Sequence, residues 1–325
     1  MILIMMNKFI LLILLFLPLT AHADDKFDIW LDEFKKEASA KGVSSDIIEV
    51  ATKGINPIPR IIELDRKQPE GTMTFEQYLN RVINDARIAQ GRRLYAEHRE
   101  LLDSTAKKYG VPAQYIVALW GLETSYGNNT GGFKVVEALA TLAYDGRRSK
   151  FFRAELINAL KILDAGHIKP KNMNGSWAGA MGQNQFMPSS FNAFAVDGNG
   201  DGKRNIWTSL PDVFASTANY LSKSGWIEDE KWGRRVSIPA SFSKDMVGLK
   251  VKHDLSTWKN LGVKLPNGSD IPVIEGMKAS IVAPDGVKGR AYLVYNNFRT
   301  IMKWNKSTYF ATSVGLLADK IAIGN

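Results

Sequence analysis

Apolar residues recur at three- and four-residue spacing from Phe27 to about Tyr109, as in FDIWLDEFKKEASAKG and YLNRVINDARIAQGRRLYAEHRELLDSTAKKYG, and this period predicts helices. The segment GINPIP, residues 54–59, punctuates them as a Pro-rich connector. Helical spacing continues from Ala113 to about Gly225, interrupted by Gly/Asn-rich loops at 127–132, 169–182 and 197–204, the kind of place where sites are built. After Trp232 the pattern changes. RRVSIPASF, GLKVKH, SDIPVIEG, KASIVAP and RAYLVYNN are short, β-branched and bounded by turn residues, which predicts strands. Helical periodicity returns at 307–323, so the last helix is expected to pack back on the helical body. The predicted class is α+β, mainly α. Its divisions are a helical N-terminal region at 24–110, a core at 111–232, a small β-rich insert at 233–290 and a returning segment at 291–325.

Residues 9–19 form an unbroken apolar run behind Lys8, and Ala21-His22-Ala23 has the small-x-small form of a cleavage site. Residues 1–23 therefore read as a secretory signal peptide, with translation starting at Met5 or Met6, in preference to an uncleaved anchor. The expected location is the periplasm. With 325 residues, 45% of them hydrophobic and 23% charged, the rest is an ordinary folded globule. The formal net charge of +9 asks for an acidic partner. For an exported protein that partner is the cell wall, with its carboxylates, and not nucleic acid; the chain is expected to act as a monomer.

Cysteine is absent and His22 is one of only four histidines, so disulfides, thiol nucleophiles, Cys-type zinc sites and lipidation fall away. The markers H-E-x-x-H and G-x-S-x-G are also missing, which leaves carboxylate chemistry. In YIVALWGLETSYG, Ile116, Leu119, Trp120 and Glu123 fall at i, i+3, i+4 and i+7, placing a carboxylate in line with large apolar side chains. Desolvation there would raise its pKa and fit it to serve as a general acid. The alternatives are a solvated helix end or a partner for a buried arginine. Gly127 and the loop after it supply the expected helix stop. A second constellation is GAMGQNQFMPSS, residues 179–190, preceded by Trp177. There Gln183 and Gln185 offer amides and Phe186 and Met187 apolar contact suited to a sugar, although a Gly-rich turn alone has the same composition.

GLETSYG, TLAYDGRRSKFFRAEL and GAMGQNQFMPSS, in this order, resemble the lytic murein transglycosylase B family, and the similarity runs from about Asp25 to the C-terminus. The resemblance implies a lysozyme-like helical core. It also implies cleavage of the β-1,4 bond between N-acetylmuramic acid and N-acetylglucosamine in peptidoglycan glycan strands, leaving a 1,6-anhydro-muramoyl end. It assigns the acid/base to Glu123 and cleft roles to Gln185, Arg147 and Arg148, with Tyr78 matched by its spacing to Gly91 and Asn305 within MKWNKSTYFA. Trp304 and Phe310 stand where the family commonly has Tyr, and Asn184 where it has Pro or Thr, so hydroxyl bonds are lost while aromatic surfaces for sugar stacking remain.

Glycosidases with two carboxylates hold them about 5 Å or about 6.5–9.5 Å apart, whereas substrate-assisted enzymes use the 2-acetamido group. One strong carboxylate suits the second scheme, with Asp145 and Glu137 the nearest rivals for a second acid. A water-using muramidase and a non-catalytic wall-binding protein are the competing readings. Lastly, VDGNGDGKRNIW carries Asp197, Asn199 and Asp201 at positions 1, 3 and 5 of a calcium-type loop, Gly202 at the turn and Lys203 offering its carbonyl. Position 12 is Thr208 and not Glu; the resemblance implies a displaced final acid, a place Asp212 can fill. Structural calcium is expected and no organic cofactor; a metal-free polar turn is the alternative.

Overall fold

The computed structural model describes residues 24–67 and 73–322. The expected signal peptide therefore lies outside the described residues. The N-terminal helices are α1 (Asp24–Ala40), α2 (Ser45–Thr52), α3 (Pro59–Arg66), α4 (Phe75–Val82), α5 (Asp85–Glu97) and α6 (Arg99–Tyr109). Their ends follow from local chemistry. Pro59 sits in the first turn of α3. Thr74 and Gln77 close a capping box on α4. Asn84 accepts from the Arg87 amide at the start of α5, and Gly110 ends α6 in the left-handed region.

Helix α7 (Ala113–Thr124), apolar along most of its length, is buried on nearly every side. Around it or beyond it run α8 (Val135–Asp145), α9 (Ser149–Asp164), α10 (Pro188–Phe194), α11 (Leu210–Lys223), α12 (Leu255–Asn260), α13 (Asn296–Trp304) and α14 (Thr308–Ala322). α14 packs on α7, α5 and α4, and α11 and α6 also contact α7, so the last helix does return to the helical body. No helix among the described residues is long and apolar enough to cross a membrane.

A two-stranded ribbon, β1 (Phe133–Lys134) with β2 (Asn174–Gly175), was not legible in the sequence and pins together two of the Gly/Asn-rich loops. The second sheet comprises β3 (Gly233–Val236), β4 (His253–Asp254), β5 (Lys278–Val282) and β6 (Ala291–Val294), antiparallel in the order β3-β6-β5-β4. Ala291 and Leu293 of β6 belong to a small core with Trp258 and Ile281, while Tyr292 and Val294 belong to the main core. The sheet is thus a wall between two cores, and strand alternation feeds one residue to each. That is why AYLV reads as a continuous apolar run.

Three expectations need correction. GLKVKH, residues 248–253, contributes only His253 to a strand, the start of β4. SDIPVIEG forms no strand: Pro272 lacks the amide a ladder needs, and only an isolated bridge pairs Lys264 with Asp270. β6, which the division at residue 290 assigns to the returning segment, instead lies hydrogen-bonded between β3 and β5.

Candidate active site

Glu123 sits one residue before the end of α7, where the packing of α14, α5 and α11 strips most water from the helix. Burial raises its carboxyl to a pKa of about 7, and the hydrogen bond from Trp304 acts in the opposite direction. The indole Nε1 of Trp304 donates to Glu123 Oε1 over 2.8 Å. Trp304 ends α13, and its ring leans on Phe186 (centroids 5.1 Å apart) and Tyr220 (4.7 Å). Tyr220, from α11, is itself fixed by donating to the Lys303 carbonyl over 2.7 Å. Phe186 is buried against Trp304 and supports its ring.

The helix stop differs from expectation. Ser125 and Tyr126 already take left-handed backbone angles (φ 49° and 60°) ahead of Gly127. With Gln185 (φ 50°) they are the described non-glycine residues at positive φ, and all three flank the acid or belong to the second constellation. The turn is held by a reciprocal contact. The Tyr126 hydroxyl donates to the Arg87 carbonyl over 2.7 Å, and Arg87 Nη2 donates to Ser125 Oγ over 3.1 Å. Gly91 and Gly121 make room for that tyrosine: a Cβ at either position would stand 2.5 Å from its hydroxyl or 2.6 Å from its ring. The signal in the sequence was these small residues, but nothing there paired them with Tyr126.

Tyr78, on α4, is close enough that the Glu123 charge, after burial, opposes ionisation of its hydroxyl. Its ring lies 5.6 Å from that of Tyr309. Gln185 donates to the carbonyls of Thr130 (3.1 Å) and Gly182 (2.9 Å).

Other expected cleft residues are placed differently. The Gln183 amide is used within the fold: Oε1 accepts from Trp120 Nε1 at 2.7 Å and Nε2 donates to the Trp207 carbonyl at 3.0 Å, so it braces the loop against α7. Phe310 is 7% exposed because the first turn of α14 points it into the main core, leaving little ring for a sugar. Asn305 is exposed and accepts from the Ser307 amide at 3.1 Å, shaping the α13–α14 turn. Buried Asn184 fills its position by donating to the Val213 carbonyl and Thr217 Oγ1.

Arg147 and Arg148 converge on buried Asp65 of α3, at 2.6 Å each from Nε and Nη2. Burial would raise the pKa of Asp65; the two guanidiniums outweigh it and hold the carboxyl below its ordinary range. Both arginines line an open cavity of about 690 Å³ with Lys150 and Phe151, which none of the residues around Glu123 lines. The rivals for a second acid are engaged elsewhere: Asp145 pairs with Arg66 at 2.8 Å, and Glu137 lines a cavity with Val50 and Lys53. Among the described residues, burial and the Trp304 bond shift Glu123 and no second carboxylate joins them.

In the calcium-type loop, desolvation would raise the pKa of Asp197, but the bonds it accepts from the amides of Gly200, Asp201 and Gly202 together outweigh this and hold it below the ordinary value, and Asp201 accepts from the Lys203 amide. Asp212 is fully buried and ties the loop ends, Oδ1 accepting from Gly198 at 2.9 Å and Oδ2 from Asn205 at 2.6 Å. Each oxygen retains a further lone pair. Among the described residues no three His, Cys, Asp or Glu side chains form a group able to hold a metal. The expected donors other than Asp197, Asp201 and Asp212 are an amide and a carbonyl oxygen, a hard set of the kind calcium takes.

The site is thus a desolvated carboxylic acid held by an indole at the end of a buried helix in a mainly helical body. Residues 26–319 match the transglycosylase SLT domain family. The chain is 32% identical over 251 residues to membrane-bound lytic murein transglycosylase B of Escherichia coli (strain K12), spanning 76% of this chain and 67% of that protein. Its structure is similar to that of SltB3 from Pseudomonas aeruginosa in complex with NAG-anhNAM-pentapeptide, with TM-score 0.87 and 43% identity over 91% of this chain and 79% of that one. It is also similar to the E. coli lytic transglycosylase Slt35 in complex with calcium, with TM-score 0.78 and 29% identity over 90% and 92% of the two chains. The chain belongs to the transglycosylase SLT domain family. It has that family's lysozyme-like fold and is a lytic transglycosylase of peptidoglycan, a lyase-type enzyme.

Proposed function

We propose that Glu123 alone is both acid and base in cleaving the β-1,4 bond between N-acetylmuramic acid and N-acetylglucosamine. A pKa near 7 makes both protonation states accessible at neutral pH, which is what one group needs to fill two roles in turn. In the first step Glu123 gives its proton to the glycosidic oxygen, the bond from C1 to that oxygen breaks, and the acetamido carbonyl oxygen of the muramoyl residue bonds to C1. In the second, carboxylate Glu123 takes the proton of the same sugar's 6-hydroxyl, whose oxygen displaces the acetamido oxygen from C1. The product ends in a 1,6-anhydro ring, and Glu123 is protonated again. The attacking hydroxyl is part of the substrate, a large proximity advantage over water.

The observation that carries this reading is the isolation of Glu123, perturbed by burial and by the Trp304 indole and, among the described residues, by no other carboxylate. Trp304 holds the acid and offers an aromatic face to a sugar; Tyr78 and Gln185, with its side-chain carbonyl, would line the same cleft. Arg147 and Arg148 form a basic shelf suited to acidic peptide groups on the strand. The loop at 196–207 would hold calcium through Asp197, Asn199, Asp201 and the Lys203 carbonyl, with Asp212 behind them, and the ion would clip the loop without entering the chemistry. The enzyme would act in the periplasm. Mass spectrometry of products released from purified sacculi tests the reaction: anhydro-muramoyl ends are expected, and free reducing ends as the main product would replace this reading with hydrolysis by water.

A further inference from the structure

Away from Glu123, a cavity of about 500 Å³ opens where the main core meets the small one. Arg234 of β3 and Tyr295, just after β6, form its inner wall; Ile227 and Ile274 flank it; Asp229, Lys231 and Glu275 lie at its mouth. None of the residues around Glu123 lines it.

Three observations mark it as a site. The Arg234 guanidinium stands over the Tyr295 ring, 5.7 Å from its centroid, and no carboxylate among the described residues pairs with it within salt-bridge distance. Arg234 Nε and the hydroxyl of Tyr295, a residue 2% exposed, are buried and have only each other to turn to, without good hydrogen-bond geometry to any other described group. Ile227 (47% exposed) and Ile274 (57%) line it, giving the cavity an exposed apolar flank.

The charges define the ligand. Glu230 is committed to the amides of Asn296 and Asn297 at the start of α13, and Asp319, near Arg234 and Lys231, accepts from Trp232 Nε1. Arg234 and Lys231 thus share the lining with Asp229 and Glu275, with the Asp319 charge near both cations but no described carboxylate in salt-bridge contact with either. A polyanion would meet the two acids, and a neutral sugar would leave the fork unpaired. A planar guanidinium matches a carboxylate with two parallel bonds.

We propose that this cavity is a second binding site, taking a short peptide with a free terminal carboxylate and an ammonium group. Arg234 and Lys231 hold the carboxylate, Asp229 and Glu275 the ammonium, and Ile227 and Ile274 an apolar side chain. The proposal deepens the peptidoglycan reading and rests on it only for where such a peptide comes from, the peptides borne by wall strands.

Calorimetric titration of the intact protein with N-acetyl-Lys-Ala-Ala and with its C-terminal amide tests it. The free acid is expected to bind saturably with a Kd of about 1 mM or below. Amidation and Arg234→Gln are each expected to weaken binding at least about tenfold, and Arg234→Lys by less, since it keeps the charge and loses the fork. Glu123→Gln is expected to leave binding unchanged. If Arg234→Gln does not fold, Lys231→Gln and Glu275→Gln, both exposed, carry the test with losses of several-fold. Equal affinity for acid and amide, unchanged affinity in a folded Arg234 variant, or no saturation by about 10 mM peptide would overturn the proposal. Each of those results leaves cleavage of sacculi intact and so is separable from failure of the catalytic reading.

Discussion

The indole Nε1 of Trp304 and the carboxylate Oε1 of Glu123 lie 2.8 Å apart, joining the end of α13 to the end of α7 across a sequence separation of 181 residues. This bond restrains both the position of the acid and its affinity for a proton. Trp304→Phe keeps an aromatic ring, though a smaller one, and deletes the donor. Because the bond opposes the effect of burial, its loss lets the Glu123 pKa climb above about 7. The alkaline limb of kcat/KM, where the acid loses its proton, should move to higher pH, with kcat lowered by about tenfold as the carboxyl loses its fixed orientation. A pH–rate profile with an unshifted limb would remove Trp304 from this role.

Glu123→Gln should abolish cleavage, by at least about a thousandfold. It should also stabilise the protein. Glu123 has a folded pKa raised from 4.5 to about 7, so its contribution to stability is fully present below pH 4.5 and is lost as pH rises through 7. Glutamine still accepts the Trp304 bond and never ionises. Denaturant titrations should find the variant more stable above neutral pH, by an amount on the order of 2 kcal/mol, with the gain gone below pH 4.5.

Gly121→Ala forces a methyl group to within 2.6 Å of the Tyr126 ring, one turn before the left-handed residues that follow the acid. Displacing Tyr126 breaks its bond to Arg87 and frees the turn. A loss of about 2 kcal/mol in stability is expected, with kcat falling more than KM changes. Tyr126→Phe, which deletes only the hydroxyl, should reproduce the kinetic change with a smaller loss of about 1 kcal/mol.

Asp65→Asn removes the carboxylate that gathers Arg147 and Arg148. The pKa of Asp65 is depressed below 3.8, so its stabilisation is present above that value and lost as pH falls through the lower folded value. The variant should be less stable at neutral pH by about 2 kcal/mol, the arginines being half-exposed and free to rehydrate, and the gap should close in acid. Thermal melts across the acid range check it.

Calcium at millimolar concentration should raise Tm by about 5 °C, and a chelator should reverse the gain. Asp201→Ala should flatten this response while leaving cleavage at ambient temperature unaltered. An identical melting temperature with and without the ion would leave the loop a metal-free turn.

The sequence by itself determined the helices, because a period near 3.6, capping residues such as Thr74 and Asn84 and stops such as Gly110 act within a few residues. It also marked Glu123 as a carboxylate on an apolar face. Even the apolar runs of β5 and β6 were legible as strands, although not as the wall between two cores. Only the tertiary structure decided which aromatic group restrains Glu123, that Tyr220 supports it and that Arg87 and Tyr126 lock the turn behind it. It also spent the Gln183 amide inside the fold and turned Phe310 into the core. The reason is range. Hydrophobic period and capping are read along neighbouring residues, while a desolvated carboxyl is tuned by whatever distant segment packs against it, and packing is settled by the whole chain at once.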